Sequence, residues 1–283
     1  MKKLLVLAIL LPIALLGCVS APPDKAPEPQ RKERIETVRV PVLIKEDSYF
    51  ADGILDRTVS YTYDSALKLL LEKRVQEPSR AEPTERSVYE YSGTVPTSVS
   101  LFDYEGKLRT RTEFKVDASG RVIQETVADS KGNPQSSVRY EYDASGLRTS
   151  RRVYNGAGAL LAISEYSYTA GRLAVVILKD SAEGPAGRVE HEYDSAGRLV
   201  LRITFDPAGA VAQRERFVYD GDFLAEERLE RGDGRVERRR VYEKGPEGAP
   251  AKSTLYDASG RIRDIRVFEY GFRTEERTVV YYE

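Results

Sequence analysis

Glycine recurs along the chain at a nearly constant spacing, and this ladder constrains the fold more than any other feature. From Gly93 to Gly271, fifteen glycines follow one another at steps of 11 to 14 residues. Eight of them have Asp or Asn three positions earlier. Such a side chain accepts hydrogen bonds from the backbone that follows it, and glycine adopts the left-handed conformation that closes the turn. The ladder predicts a turn at every step, and its structural turn glycines include Gly106, Gly120, Gly146, Gly171, Gly197, Gly209 and Gly260.

The segments between the turns alternate as β-strands do. In residues 137–142, Val138 and Tyr140 share one face while Arg139 and Glu141 share the other. A period of two, bounded by Asp/Gly turns, is typical of antiparallel hairpins. The one helix-like stretch, residues 65–74, follows Asp64 and is interpreted as a degenerate copy of the same turn. Residues 77–85 and 245–250 are rich in proline, glycine or charge and predict longer loops.

These signals predict an all-β fold. About 17 to 19 strands fit between residue 34 and residue 283. Open sheets of this width curl or split, because the twist between strands accumulates. We therefore expect a long antiparallel β-meander of repeated hairpins, curled into an open or partly closed barrel or a superhelical sheet. Residues 35–283 form one repetitive domain in this interpretation.

The N-terminal segment has the pattern of an export signal. Lys2 and Lys3 precede an apolar run over residues 4–16 that is too short to span a membrane. The run ends in Leu15-Leu16-Gly17-Cys18, which resembles the lipobox of bacterial lipoprotein precursors. The resemblance implies that residues 1–17 are a signal peptide removed by cleavage, and that Cys18 carries acyl chains inserted in the lipid bilayer. The alternative is an ordinary secretory signal in which Cys18, the single cysteine of the chain, is incidental.

Residues 18–34 are predicted to be a tether. Four prolines and several charges leave this segment little to bury, so it reads as an extended spacer between bilayer and domain. The resemblance to lipoproteins also implies a location in the bacterial cell envelope. In a diderm bacterium we expect the outer membrane, because Val19 is not the Asp that retains such proteins at the inner membrane. The β domain would then face the periplasm or the outside of the cell.

The fullest turn units carry a second resemblance. Residues 142–146, 193–197 and 256–260 share the pattern Tyr-Asp-x-x-Gly, often followed by Arg and an aliphatic residue. They resemble the tyrosine–aspartate (YD, or RHS) repeats of bacterial surface and toxin-delivery proteins, which coil into a β-sheet shell with an effector domain at one end. The steps around Gly132 add up to a unit of about 26 residues, which fits two strands per repeat. The hairpin repeats of MORN-like proteins are the alternative resemblance, and their functions are mostly binding or scaffolding.

Composition excludes several kinds of chemistry. One His, one Cys and no Trp exclude a Cys/His metal site and a disulfide framework. Each turn offers a single Asp, whereas calcium loops stack several oxygen ligands. His191 lies mid-strand beside Val189 and Tyr193, as a packed sheet residue would, and no acid stands out as one of a catalytic pair. We expect no enzyme activity, no catalytic or metal-binding residue and no cofactor.

The remaining features favour binding or scaffolding. The 44 basic and 45 acidic residues nearly cancel, so no global field attracts nucleic acid. In the run from Arg238 to Arg240 the middle residue should face away from its neighbours, as on a solvated strand. Tyrosines recurring at the turn units should form cross-strand rows that stabilise register or, alternatively, an adhesive face. The sequence thus predicts a lipid-anchored module for a protein or glycan ligand. The alternatives are a structural envelope component, an outer-membrane barrel and a polysaccharide-active enzyme.

Overall fold

The computed structural model describes residues 31–282, and the side chains of residues 31–281. The predicted signal peptide, Cys18 and most of the predicted tether lie outside the described residues. The described chain forms eighteen strands and one short 3₁₀ turn, Pro246–Gly248, with no α-helix. The strands are β1 (Arg31–Phe50), β2 (Leu55–Tyr63), β3 (Leu70–Gln76), β4 (Glu85–Ser92), β5 (Val95–Asp103), β6 (Leu108–Val116), β7 (Val122–Asp129), β8 (Pro134–Tyr142), β9 (Arg148–Asn155), β10 (Leu160–Thr169), β11 (Arg172–Lys179), β12 (Pro185–Tyr193), β13 (Leu199–Phe205), β14 (Val211–Asp220), β15 (Phe223–Arg231), β16 (Val236–Lys244), β17 (Pro250–Asp257) and β18 (Ile262–Tyr282).

The strands close into a barrel. Each strand pairs antiparallel with the next one along the chain, and β1 also pairs with β18. The predicted all-β meander of 17 to 19 strands is confirmed with 18 strands. The open, partly closed and superhelical arrangements are wrong. Closure pairs the two edges that each of those arrangements would leave with unsatisfied backbone groups.

The described chain divides into two compact units. One contains residues 31–37 and 276–282, the outer ends of β1 and β18. In this unit Arg34 lies over the ring of Tyr281, 5.6 Å from its centroid. The other unit contains residues 38–275 and holds all of the intervening strands. The sequence assigns residues 31–34 to the end of the tether. In the structure they belong to a strand, because β1 begins at Arg31.

Hairpins in this barrel are bulged near their turns. Almost every strand pair shifts register by one residue close to its turn, as between Glu192 and Tyr193. A bulge adds local twist and bends the strand. The repeated bulges therefore supply the curvature that a sheet of 18 strands needs in order to close.

The first and last strands meet through specific side chains within the larger unit. Arg266 of β18 pairs with Glu46 of β1 at 3.2 Å. Gly271 lies inside β18 and not at a turn, contrary to its place on the glycine ladder. A Cβ atom there would lie 3.3 Å from Cγ2 of Ile44 and from Cδ1 of Leu67. Glycine is thus used at this position for the close approach of neighbouring side chains.

Little of the barrel is a hydrophobic core. Among the described side chains the buried hydrophobic ones are Val42, Val59, Ile163, Val176, Phe223 and Ala249. Side chains of a single sheet are stabilised chiefly by their cross-strand neighbours. Interactions within the wall, not a central apolar cluster, therefore hold this fold. No helix in the described part of the chain is long and apolar enough to cross a membrane.

Candidate binding site on the inner face of the barrel

The turn unit is a closed network of hydrogen bonds around one Asp. The amide of Gly197 donates to the carbonyl of Asp194 at 2.9 Å, and the amide of Asp194 donates to the carbonyl of Arg198 at 3.0 Å. The amide of Arg198 donates to Oδ1 of Asp194 at 2.9 Å. This bond, together with the Arg198 guanidinium, lowers the pKa of the Asp194 carboxyl. The Asp therefore orders the turn as a fixed acceptor.

All seven predicted turn glycines adopt the left-handed conformation. Their φ angles are 73° for Gly106, 78° for Gly120, 84° for Gly146, 76° for Gly171, 81° for Gly197, 86° for Gly209 and 80° for Gly260. In two turns a residue other than glycine occupies the left-handed position. Leu67 has φ 53°, so the turn after Asp64 is the degenerate copy that the sequence indicated. Glu183 has φ 63° and takes the place expected for Gly184.

Tyrosine hydroxyls on every second strand bond to the strand immediately before them and together form a ladder. A Tyr in seven of the nine even-numbered strands donates its hydroxyl to a backbone carbonyl 20 or 21 residues earlier in the chain. The seven are Tyr63, Tyr91, Tyr142, Tyr168, Tyr193, Tyr219 and Tyr270. β6 and β16 have Val116 and Lys244 at the corresponding position. The ladder therefore has a period of two strands.

The Arg that follows a turn glycine covers the Tyr of the next unit. Arg198 lies 4.8 Å from the centroid of the Tyr219 ring, and the Tyr219 hydroxyl donates to the carbonyl of Leu199. Arg121 covers Tyr142 at 4.9 Å and Arg172 covers Tyr193 at 5.9 Å in the same way. Each Tyr is thus held at its hydroxyl and on its ring by two consecutive residues. This geometry explains why Tyr, Asp, Gly and Arg recur together.

One face of the sheet is the concave, inner face. A single cavity of about 350 Å³ is lined from this face by side chains of six successive strands, β13 to β18. A second cavity of about 420 Å³ is lined by β18 and β1 to β4. Side chains of so many strands converge only on a concave surface. Both cavities include Arg266, which therefore lies between them.

Charged residues of the inner face lie in cross-strand rows. One row runs Arg202, Glu215, Leu229, Arg238 and Asp257. The next runs Phe217, Glu227, Arg240, Leu255 and Asp264, and a third joins Tyr242, Ser253 and Arg266 to Glu46. Neighbours in a row are close enough to interact directly. Distant parts of the sequence thus form one network.

The network positions Arg240 most firmly. Its two terminal nitrogens each lie 3.1 Å from an oxygen of Asp264, and Nη1 also donates to Oγ of Ser253 at 2.8 Å. Beside it, burial and the neighbouring Glu227, which accepts a hydrogen bond from the hydroxyl, raise the pKa of Tyr242 to about 12. Tyr242 therefore stays a neutral donor at physiological pH. A guanidinium paired in this bidentate way is held in a fixed orientation.

Sequence reasoning found only part of this site. It placed Arg238 and Arg240 on one face and Arg239 on the other, and the registers agree: Arg239 lies over the ring of Tyr256 on the outer face. It missed Asp264 and Arg266, because only the strand registers bring them beside Arg240. No local signal in the sequence marks these two residues.

The other predicted site residues are placed as follows. His191 lies on the inner face, opposite Arg202 of the next strand, with Nδ1 buried and unpaired. Burial lowers the pKa of its imidazole, which is therefore neutral near pH 7. Cys18 lies outside the described residues. Within residues 31–281, no three His, Cys, Asp or Glu side chains are grouped as metal ligands would be.

Comparison with known proteins gives structural similarities at low identity. No known family matches the sequence, and no curated protein is significantly similar. A porin-like protein from Bacteroides uniformis matches with TM-score 0.44 and 12% identity, over 81% of this chain and 97% of that chain. One from Bacteroides vulgatus matches with TM-score 0.34 and 10% identity, over 81% and 98%. The TcdB2–TccC3 structure matches with TM-score 0.22 and 13% identity, over 82% of this chain and 21% of that chain. None of these similarities assigns a ligand or an activity to this chain.

Proposed function

We propose that the protein is a non-catalytic binding or scaffolding module of the bacterial cell envelope, held at a membrane through acylated Cys18. The observation that carries the proposal is the ion pairing on the outer face of the barrel. Arg216 pairs with Glu230 at 2.9 Å there, and Arg111 pairs with Glu90 at 2.7 Å. Placing one Arg of a barrel strand at the bilayer midplane costs about 2–4 kcal/mol. A wall with such charges therefore remains in water.

A barrel that stays in water needs a separate attachment to the membrane, and the segment around Cys18 supplies one. Leu15-Leu16-Gly17-Cys18 has the lipobox pattern, and several acyl chains at one residue hold far better than a single chain. The proline-rich segment after Cys18 then serves as the spacer. Val19 favours sorting to the outer membrane of a diderm cell.

The anchor is tested by expressing the full chain and Cys18→Ser in a diderm bacterium with labelled palmitate. The parent chain should take up label and enter the detergent phase. Cys18→Ser should lose both properties and keep the circular dichroism spectrum of the barrel. Val19→Asp, the matched variant at the next position, should keep the label and move to the inner membrane.

Two outcomes contradict the proposal. If Cys18→Ser still carries label and partitions into detergent, the protein is not a lipoprotein of this type. If Val19→Asp leaves the protein in the outer membrane, the proposed sorting is wrong. A purely structural role in the envelope predicts instead tight cofractionation with the cell wall and no soluble ligand.

A further inference from the structure

The first inner-face cavity has more positive than negative charge on its lining. Four arginines that line it project from the inner face, against two glutamates, Glu215 and Glu227. The arginines are Arg202, Arg238, Arg240 and Arg266. Phe217, Leu229 and Leu255 contribute apolar surface between them. The cavity therefore combines cationic groups with an apolar floor.

Only some of these charges are neutralised by the protein. Arg202 pairs with Glu215, and Arg240 is paired with Asp264. The side chain of Arg238, two positions before Arg240 on the same face, has no hydrogen bond or ion pair with any described residue. Arg266 pairs with Glu46, and its Nε atom is buried without a hydrogen-bond partner. The full charge of Arg238 thus remains unpaired at this cavity.

The spacing of the arginines suits a small oxyanion. Residues two apart on a strand are separated by about 7 Å, so the guanidinium groups of Arg238 and Arg240 can flank one carboxylate or phosphate group. Guanidinium binds such groups through parallel hydrogen bonds, which the unpaired Arg238 can form, while Asp264 holds the neighbouring Arg240 in place.

We propose that this cavity binds an oxyanion group, carboxylate or phosphate, of a small ligand such as an acidic sugar. The proposal rests on the proposed binding function and adds the chemical class of the ligand. The oxyanion lies between Arg238 and Arg240, and the body of the ligand covers Leu229 and Leu255. Arg238 is the residue whose charge the ligand neutralises.

The test uses titration calorimetry on the purified full chain with three probes: a short oligogalacturonide, inorganic phosphate and a neutral malto-oligosaccharide of the same length. At least one charged probe should bind, and the neutral sugar should not. Arg238→Gln should weaken that binding about tenfold, the value of one charge-assisted hydrogen bond. Arg239→Gln, the neighbouring variant on the outer face, should leave it unchanged.

The outcomes distinguish an acidic sugar from free phosphate, and the oxyanion site from the proposed membrane anchor. Binding of the oligogalacturonide alone assigns an acidic sugar, and binding of phosphate as well assigns the oxyanion itself. Absence of binding by both charged probes, or equal weakening by Arg239→Gln, overturns the site. A chain that incorporates palmitate and binds none of the probes overturns the site while the anchor stands.

Discussion

Removing one hydroxyl from the tyrosine ladder should lower the free energy of unfolding by about 1 kcal/mol. In Tyr193→Phe the ring stays beneath Arg172 and only the 2.9 Å bond to the carbonyl of Leu173 is lost. Such a bond contributes about 0.5–1.5 kcal/mol net. Neighbouring tyrosines of the ladder lie two strands apart, roughly 10 Å, so the effects of replacing them should nearly add. The triple replacement of Tyr142, Tyr193 and Tyr219 by Phe should therefore lower the free energy of unfolding by about 3 kcal/mol.

Urea denaturation followed by circular dichroism measures these differences. The control is Tyr104→Phe, since Tyr104 is 53% exposed and its hydroxyl bonds only the adjacent Glu105. We expect that variant to stay within about 0.5 kcal/mol of the parent. If Tyr193→Phe costs no more than Tyr104→Phe, then ring packing alone stabilises the ladder and the role given to the hydroxyls is wrong.

Two further predictions concern the turns. Gly197→Ala should destabilise the protein more than Gly209→Ala. Both glycines have a positive φ, a conformation that costs alanine roughly 1–2 kcal/mol. Only at Gly197 would the new Cβ also displace the Arg172 guanidinium. Equal melting temperatures for the two variants would contradict this packing. Stability should also fall on acidification between about pH 4 and pH 2, because hydrogen bonds from turn residues lower the pKa of several Asp side chains and bring that of Asp257 to about 2. A lowered pKa in the folded state stabilises above the unfolded value near 3.9, and this contribution is lost as pH falls through the folded pKa. Asp257→Asn should reduce that pH dependence, and urea midpoints that do not change with pH would show that these carboxylates contribute nothing.

Sequence predicts the repeating parts of this fold well because they are local. An Asp, a Gly three residues later and alternating strands need no distant partner to form, and the turn at Asp64 survives even with Leu67 in place of glycine. Gly271 shows the limit of this reasoning. It continues the glycine spacing, yet its role depends on Ile44 and Leu67, which come far earlier in the chain.

The inner-face site was less predictable for the same reason. The alternation of Arg238, Arg239 and Arg240 shows which two share a face, but not whether that face is concave. Pairing of Arg240 with Asp264 depends on the registers of three strands, each shifted by a bulge. Such shifts are a property of the assembled sheet and leave no regular mark in the sequence.

The pairing of β1 with β18 has a consequence for how the protein folds. Most strand contacts join neighbours, and the tyrosine bonds span only 20 or 21 residues. Near the closure, by contrast, Arg273 donates to the carbonyl of Leu67 across 206 residues. Hairpins can therefore accumulate quickly, while the joining of the first and last strands requires the slow, entropically costly meeting of distant segments. Until β1 and β18 pair, the sheet exposes two edge strands with unpaired backbone groups. The chain is therefore most prone to aggregate, and most dependent on chaperones, in the interval before closure.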